Sequence, residues 1–229
     1  MGDLITFDRI KFYGFGDDVH QCEMLYGRGR EPAPAKFQCA SDFMPRLENW
    51  LTVMAGWAPP QWGNLRSLTS AGLFVQKPGK HGEGRAIDVD TITWDNGSIS
   101  PFDRQHASPD VVVRRRYLGL DAMCRTAFSW VLDGWFNDEH GDHIHCDDSS
   151  ELILKTGARS TVAFCQAVCN DVYGANLTVD GRWGPLTRGA VEDAMGRSGI
   201  DGDPTVDGDS WQNWLRDISQ VAFTGEAHR

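Results

Sequence analysis

The chain has 229 residues, 41% of them hydrophobic and 24% charged, with a formal net charge of −10. That content can bury the core of one large domain, or of one medium and one small domain. The acidic balance offers no basic footprint for nucleic acid, no run of roughly 18 apolar residues would insert in a membrane, and the N-terminus has no leader-like charged-then-apolar segment.

In chain order, the first 40 residues carry no motif, and "RGREPAPAK" (28–36) reads as a Pro-rich surface loop. Over 42–57, Phe43, Leu47, Leu51 and Met54 recur at helical spacing, with Ser41 or Asp42 as cap, Pro45 in the first turn and "APPQWGN" as the stop. A strand is expected over 68–76 and a turn-rich loop over 77–84. "RAIDVDTITW" alternates as a strand, with Ile87 and Val89 on one face and Ala86, Asp88 and Asp90 on the other. The one basic run, Arg114-Arg115-Arg116, reads as a solvated helix start. Leu118, Met123, Phe128 and Leu132 predict an amphipathic helix over 117–135, and "HIHCD" a short strand with His143 and His145 on one face.

The character changes after about residue 155. Helices are expected over 161–173 and 185–196. "TVDGRWGPLTRGAV" from Thr178 is echoed by "TVDGDSWQNWLRDI" from Thr205, each a turn leading into an apolar-periodic helix. The expectation is a unit over 1–152, a small helical unit over 156–219 and a tail over 220–229, disordered after Phe223. "DGDPTVDGD" is no EF-hand loop, because Val206 and Gln212 stand where Gly and Glu are required. The 6 cysteines contain no CxxC pair. Disulfides and buried thiols are both allowed.

Of the 7 histidines, His81, His140, His143 and His145 fall in two short windows, "HGEGRAIDVD" and "EHGDHIHCDD". Gly82 and Gly84 let a loop fold back so that His81 meets Asp88 on the following strand. His143-Ile144-His145 brings two imidazoles on one strand face, and Asp142 lies three residues before His145. Two His and one Asp make a catalytic zinc shell with a position open to water, and a nearby carboxylate can take that water's proton. That chemistry hydrolyses amides. A structural zinc would have four protein ligands, often Cys, and Cys146 falls on the opposite strand face.

The first window, His81, Gly84, Ala86 and Asp88, and the second, His140, Asp142, His143, His145 and Asp147, resemble the LAS-type zinc peptidases of bacterial cell walls. The similarity is nearest to the extensin-like C-terminal domain branch. The resemblance implies zinc ligands His81, Asp88 and His145, a general base at Asp142 and transition-state assistance from His143. Gly79 departs from the Ser or Thr common there. Ser70 stands in for an upstream Ser-x-x-Arg element, but Leu73 occupies the arginine position. Arg66 and Arg85 are therefore the candidates for holding a substrate carboxylate.

Val179, Asp180, Gly181, Gly184, Thr187, Ala190 and Val191 resemble the helical peptidoglycan-binding domain. Together the resemblances imply an α+β fold: a zinc peptidase with a small antiparallel sheet flanked by helices, plus an all-α C-terminal bundle. They imply Zn2+ as cofactor and peptidoglycan as partner; the lack of a leader-like segment adds the expectation of a phage endolysin, monomeric and released by a holin. The rivals are a carboxypeptidase trimming terminal D-Ala and an inactive wall-binding protein.

Overall fold

A computed structural model describes residues 3–14, 18–27 and 31–228. In chain order these form β1 (Leu4–Phe7), β2 (Arg9–Tyr13), β3 (Val19–Tyr26), β4 (Ala33–Pro34), β5 (Phe37–Ala40), α1 (Met44–Trp57), β6 (Leu65–Gly72), the one-turn α2 (Lys80–Glu83), β7 (Ala86–Trp94) and β8 (Gly97–Ile99). Then come α3 (Val111–Ala127), β9 (Trp130–Leu132), β10 (Ile144–Asp147), α4 (Arg159–Asp171), α5 (Pro185–Arg197) and α6 (Gly208–Thr224).

The main sheet runs β2-β3-β6-β7-β10-β9, with β4 on β3 and β8 on β7, while β1 and β5 form a separate ribbon. Among the described residues, only β3 and β6 pair in parallel. The sheet is thus mixed and, with eight strands, larger than the small antiparallel one expected. The extra strands come from the first 40 residues. Ile10 and Phe12 are buried between exposed Arg9, Lys11 and Tyr13, and Cys22 and Met24 point inward from β3. Of the loop expected over 28–36, residues 33–34 form β4 and 28–30 lie outside the described residues.

α1 buries Leu47, Trp50, Leu51 and Met54 and carries its proline in the first turn, but no side chain caps it. Asp42 is engaged elsewhere, accepting both its bonds from Arg85 at 2.7 Å. The helix expected over 117–135 starts earlier, at Val111, where Asp110 accepts from the Val112 amide at 2.8 Å, and stops at Ala127. Phe128 turns extended because Val131 pairs with Cys146 in the β9–β10 ladder. Sheet hydrogen bonding overrides helical spacing there.

Two apolar clusters share α3. One lies against the sheet and includes Trp50, Leu68, Val89, Met123 and Phe128. The other joins Leu118 and Ala122 of α3 to Phe164, Val168, Val191, Trp214 and Leu215 of the C-terminal helices. α6 reaches across: Phe223 belongs to the first cluster, 5.8 Å from the Trp62 ring and 5.7 Å from the Trp94 ring. Gly119 permits this approach, since a Cβ there would stand 2.9 Å from the Phe223 backbone nitrogen.

The arginine run is not a solvated face. Arg114 grips both Asp171 oxygens at 2.7 and 2.8 Å. Arg115 donates to the Asp171 and Gly225 carbonyls, and Arg116 lies over the Trp62 ring. Beneath them Arg125 is buried between Asp121 (2.8 Å) and Asp133 (2.9 Å), with Ser160 of α4 as a further acceptor. Burial, then the Asp121 charge, pushes the Asp133 carboxyl up.

Residues after 155 are helical. Pro185 opens α5 and Asp207 caps α6. The left-handed glycine of the first VDG turn is Gly181 (φ 70°), while Gly184 is extended. Buried Gln166 holds the turn, accepting from the Asp180 and Gly181 amides and donating to Thr187. The chain stays ordered past Phe223: the His228 amide donates to the Val172 carbonyl and its ring stacks on Tyr173 at 4.9 Å. All six cysteines are buried free thiols, and burial pushes Cys22, Cys39 and Cys169 up to about 12. Among the described residues no helix is long and apolar enough to cross a membrane.

Candidate metal centre

His81 sits on the one-turn α2, where a loop was expected. Only glycine fits at 82, because a Cβ would fall 1.8 Å from the Lys77 carbonyl oxygen. Gly84 ends the turn in the left-handed region (φ 70°), and its carbonyl accepts from the Ala40 amide at 2.9 Å. The His81 carbonyl accepts from Val75, so the residue is fixed at both ring and backbone.

Asp88 is placed by the sheet. It stands directly opposite His145 on β10, and its neighbour on the other side is Gly72 of β6, which has no side chain. Strand alternation then puts His143, His145 and Asp147 on one face and Cys146 on the other, buried.

The histidine tautomers follow from their partners. Nδ1 of His81 lies 2.7 Å from the Leu73 carbonyl, which can only accept, so Nε2 carries the lone pair. Nε2 of His145 lies 3.1 Å from an Asp147 oxygen, so its lone pair is on Nδ1. These two lone pairs and Asp88 Oδ1 converge: Nε2 of His81 is 3.1 Å from Nδ1 of His145, and Asp88 Oδ1 is 3.2 and 3.0 Å from the two. His81, Asp88 and His145 are the group among the described residues able to hold a metal ion.

The same two ring nitrogens can carry protons in place of a cation. Burial works against ionising Asp88, but hydrogen bonds that His145 and His81 then donate outweigh it and hold its carboxyl far below the usual range. Burial also disfavours a charged His145, yet hydrogen bonds to Asp147 and Asp88 push it up to about 9, so a proton and a metal compete for its Nδ1.

Asp142 is not in the ligand group. Its Oδ1 lies 2.8 Å from Nδ1 of His143, whose Nε2 is 3.7 Å from Asp88 Oδ1. The acid thus reaches the centre through His143. His140 packs against His143 and His145, with rings 5.1 and 6.2 Å away. Burial first, then the charges of His143 and His145, lowers it to about 4, and its Nδ1 is 2.6 Å from Asn137 Oδ1.

The two arginines chosen from sequence are not aimed at the centre. Arg66 pairs with Asp95 and lies six residues along β6 from Gly72, about 20 Å away. Arg85 is nearer but is spent on Asp42 and Asp148. Ser70 is buried and turned to Gly72. Asp147 and the Leu73 carbonyl, which orient the ligands, carried no assigned role. Strand alternation from His145 to Asp147 held the signal for the first, whereas a backbone carbonyl leaves none.

A cavity of about 660 Å3 between Phe12, Trp57, Gln61 and Gln220 lies apart from these residues. No family model, curated protein or solved structure matches the chain.

Proposed function

We propose that the chain is a zinc-dependent peptidoglycan hydrolase, a LAS-type peptidase that cleaves an amide in the stem or cross-link peptide of bacterial cell wall. The observation carrying this reading is the convergence of two imidazole lone pairs and one carboxylate oxygen, each imidazole held by an acceptor on its other nitrogen. Ligand atoms at tetrahedral corners around zinc stand about 3.3 Å apart. The separations of 3.0, 3.1 and 3.2 Å suit that ion. Three ligands leave one position for substrate chemistry, and the Leu73 and Asp147 partners are the kind that tune metal affinity.

When bound, zinc supplies Lewis acidity to an amide carbonyl and to an attacking water. Asp142, half-exposed and outside the ligand group, takes the water's proton and returns it to the leaving amine. His143 holds that carboxylate through Nδ1 and turns Nε2 to the ligand side, where it assists at the transition state. The helical unit, on the likeness of its Val179-Asp180-Gly181 turn, holds the wall polymer and raises local substrate concentration. The reading extends to a phage endolysin.

Mass spectrometry of fragments released from purified walls tests it. The zinc-loaded protein should expose a new amine within a stem or cross-link peptide, and a chelator should abolish the product. Release of terminal D-Ala alone would make it a carboxypeptidase; intact walls would refute the reading.

A further inference from the structure

The cavity of about 660 Å3 opens between the β2–β3 hairpin, the end of α1, residues 58–64 and α6. None of its lining residues belongs to the metal group or orients a ligand there. Its volume is that of a small-molecule site. The His20 ring forms part of the wall, stacked on buried Phe12 at 5.4 Å and 22°. Gly14 makes room for that ring, since a Cβ there would stand 2.6 Å from Nε2. Trp57, Pro59 and Pro60 add apolar surface, and the exposed Gln61 and Gln220 present carboxamides, each both donor and acceptor.

The charges narrow the ligand. Among the described residues no lysine or arginine lines the cavity, and Asp18 is its one acid, so an anion finds no partner. A cation is disfavoured as well: Arg216 already holds its guanidinium 5.2 Å from the Trp57 ring centre, one turn of α6 before Gln220. Gly56 is a second, independent observation. It stands exposed in the last turn of α1, where a Cβ would meet nothing within 4 Å. Glycine is a poorer helix former than alanine, and no packing contact requires it there. Its missing side chain leaves the cavity open.

We propose that this cavity binds a neutral sugar ring, an N-acetylhexosamine of the wall's glycan strand. A pyranose has an apolar C–H face for the Trp57, His20 and proline surfaces. Its rim of hydroxyls, each donor and acceptor, matches the carboxamides of Gln61 and Gln220. The choice of a wall glycan rests on the hydrolase reading, whereas the preference for a neutral sugar comes from the lining alone. A strand held here is attached at a second point, away from the centre that cuts its stem peptide.

The test is calorimetry of the full chain with tetra-N-acetylchitotetraose and with its de-acetylated tetramer, in slightly acid buffer where the amines of the latter are protonated. The neutral tetramer should bind saturably, at least about tenfold tighter than the cationic one, and equally well with or without a chelator. Gly56→Leu should fill the cavity and abolish binding while the urea midpoint holds or rises. Gln61→Ala and Gln220→Ala, both at exposed positions, should each weaken binding about three- to tenfold. No saturable binding by the parent, a cationic tetramer bound as tightly, or full binding by Gly56→Leu would overturn the proposal. Its failure alone would leave wall cleavage in place, whereas failure of the hydrolase reading would show as intact walls and leave these affinities untouched.

Discussion

Asp88 and His145 face each other in the β7–β10 ladder, with Asp88 Oδ1 3.0 Å from Nδ1 of His145. The pairing register itself makes two-thirds of the candidate metal group. His145 is in turn held by Asp147, two residues along the same strand face, at 3.1 Å. Asp147→Asn removes the charge but keeps the size. Zinc affinity should fall about 10–100-fold, as for other acceptors behind a ligand histidine, with the fold intact. Competition with a chromogenic chelator measures it, and an unchanged affinity would remove Asp147 from the site.

The two units are joined by more than a linker. Phe223 of α6 fills the first core against Trp62 and Trp94, and α3 serves both clusters. Phe223→Ala should cost about 3–5 kcal/mol, read as a lowered urea midpoint. Residues 1–152 alone should be poorly soluble or unfolded, since Leu118, Ala122 and Trp94 lose their cover. A well-folded fragment with native stability would show the helical unit to be only an appendage.

Much of this was legible in the sequence. The window from His81 to Asp88 and the triplet His143-Ile144-His145 point to the candidate group because a glycine turn and strand alternation limit which side chains can meet; spacing alone leaves His143 and His145 both open, and the family resemblance picks out His145. Less was legible where long-range partners decide. The spacing through Phe128 and Leu132 is helical, yet pairing of Val131 with Cys146 makes a strand. Arg114–Arg116 look like a surface run until Asp171 and Gly225, distant in sequence, arrive as acceptors.

The buried acid Asp133 gives a pH dependence with a definite sign. Asp133 has its carboxyl raised by burial and by Asp121, so between about pH 4 and that raised value the folded chain binds more protons than the unfolded one. This contribution to stability is fully present below the unfolded value and is lost as pH rises through the folded one. Asp133→Asn cannot titrate. Its stability relative to the wild type should therefore improve as pH rises from 4.5 to about 8, as urea midpoints at each pH will read. A difference independent of pH would contradict the raised carboxyl of Asp133.

The central claim separates ligand from base, and one paired measurement reaches it directly: zinc content and wall hydrolysis of Asp142→Asn beside His145→Ala. Asp142 lies outside the ligand group, so Asp142→Asn should keep its zinc and lose about 10²–10⁴ in rate, the usual worth of a general base. His145→Ala should lose metal and activity together. Zinc lost from Asp142→Asn as fully as from His145→Ala would make Asp142 a ligand, and full activity in Asp142→Asn would contradict the hydrolytic mechanism.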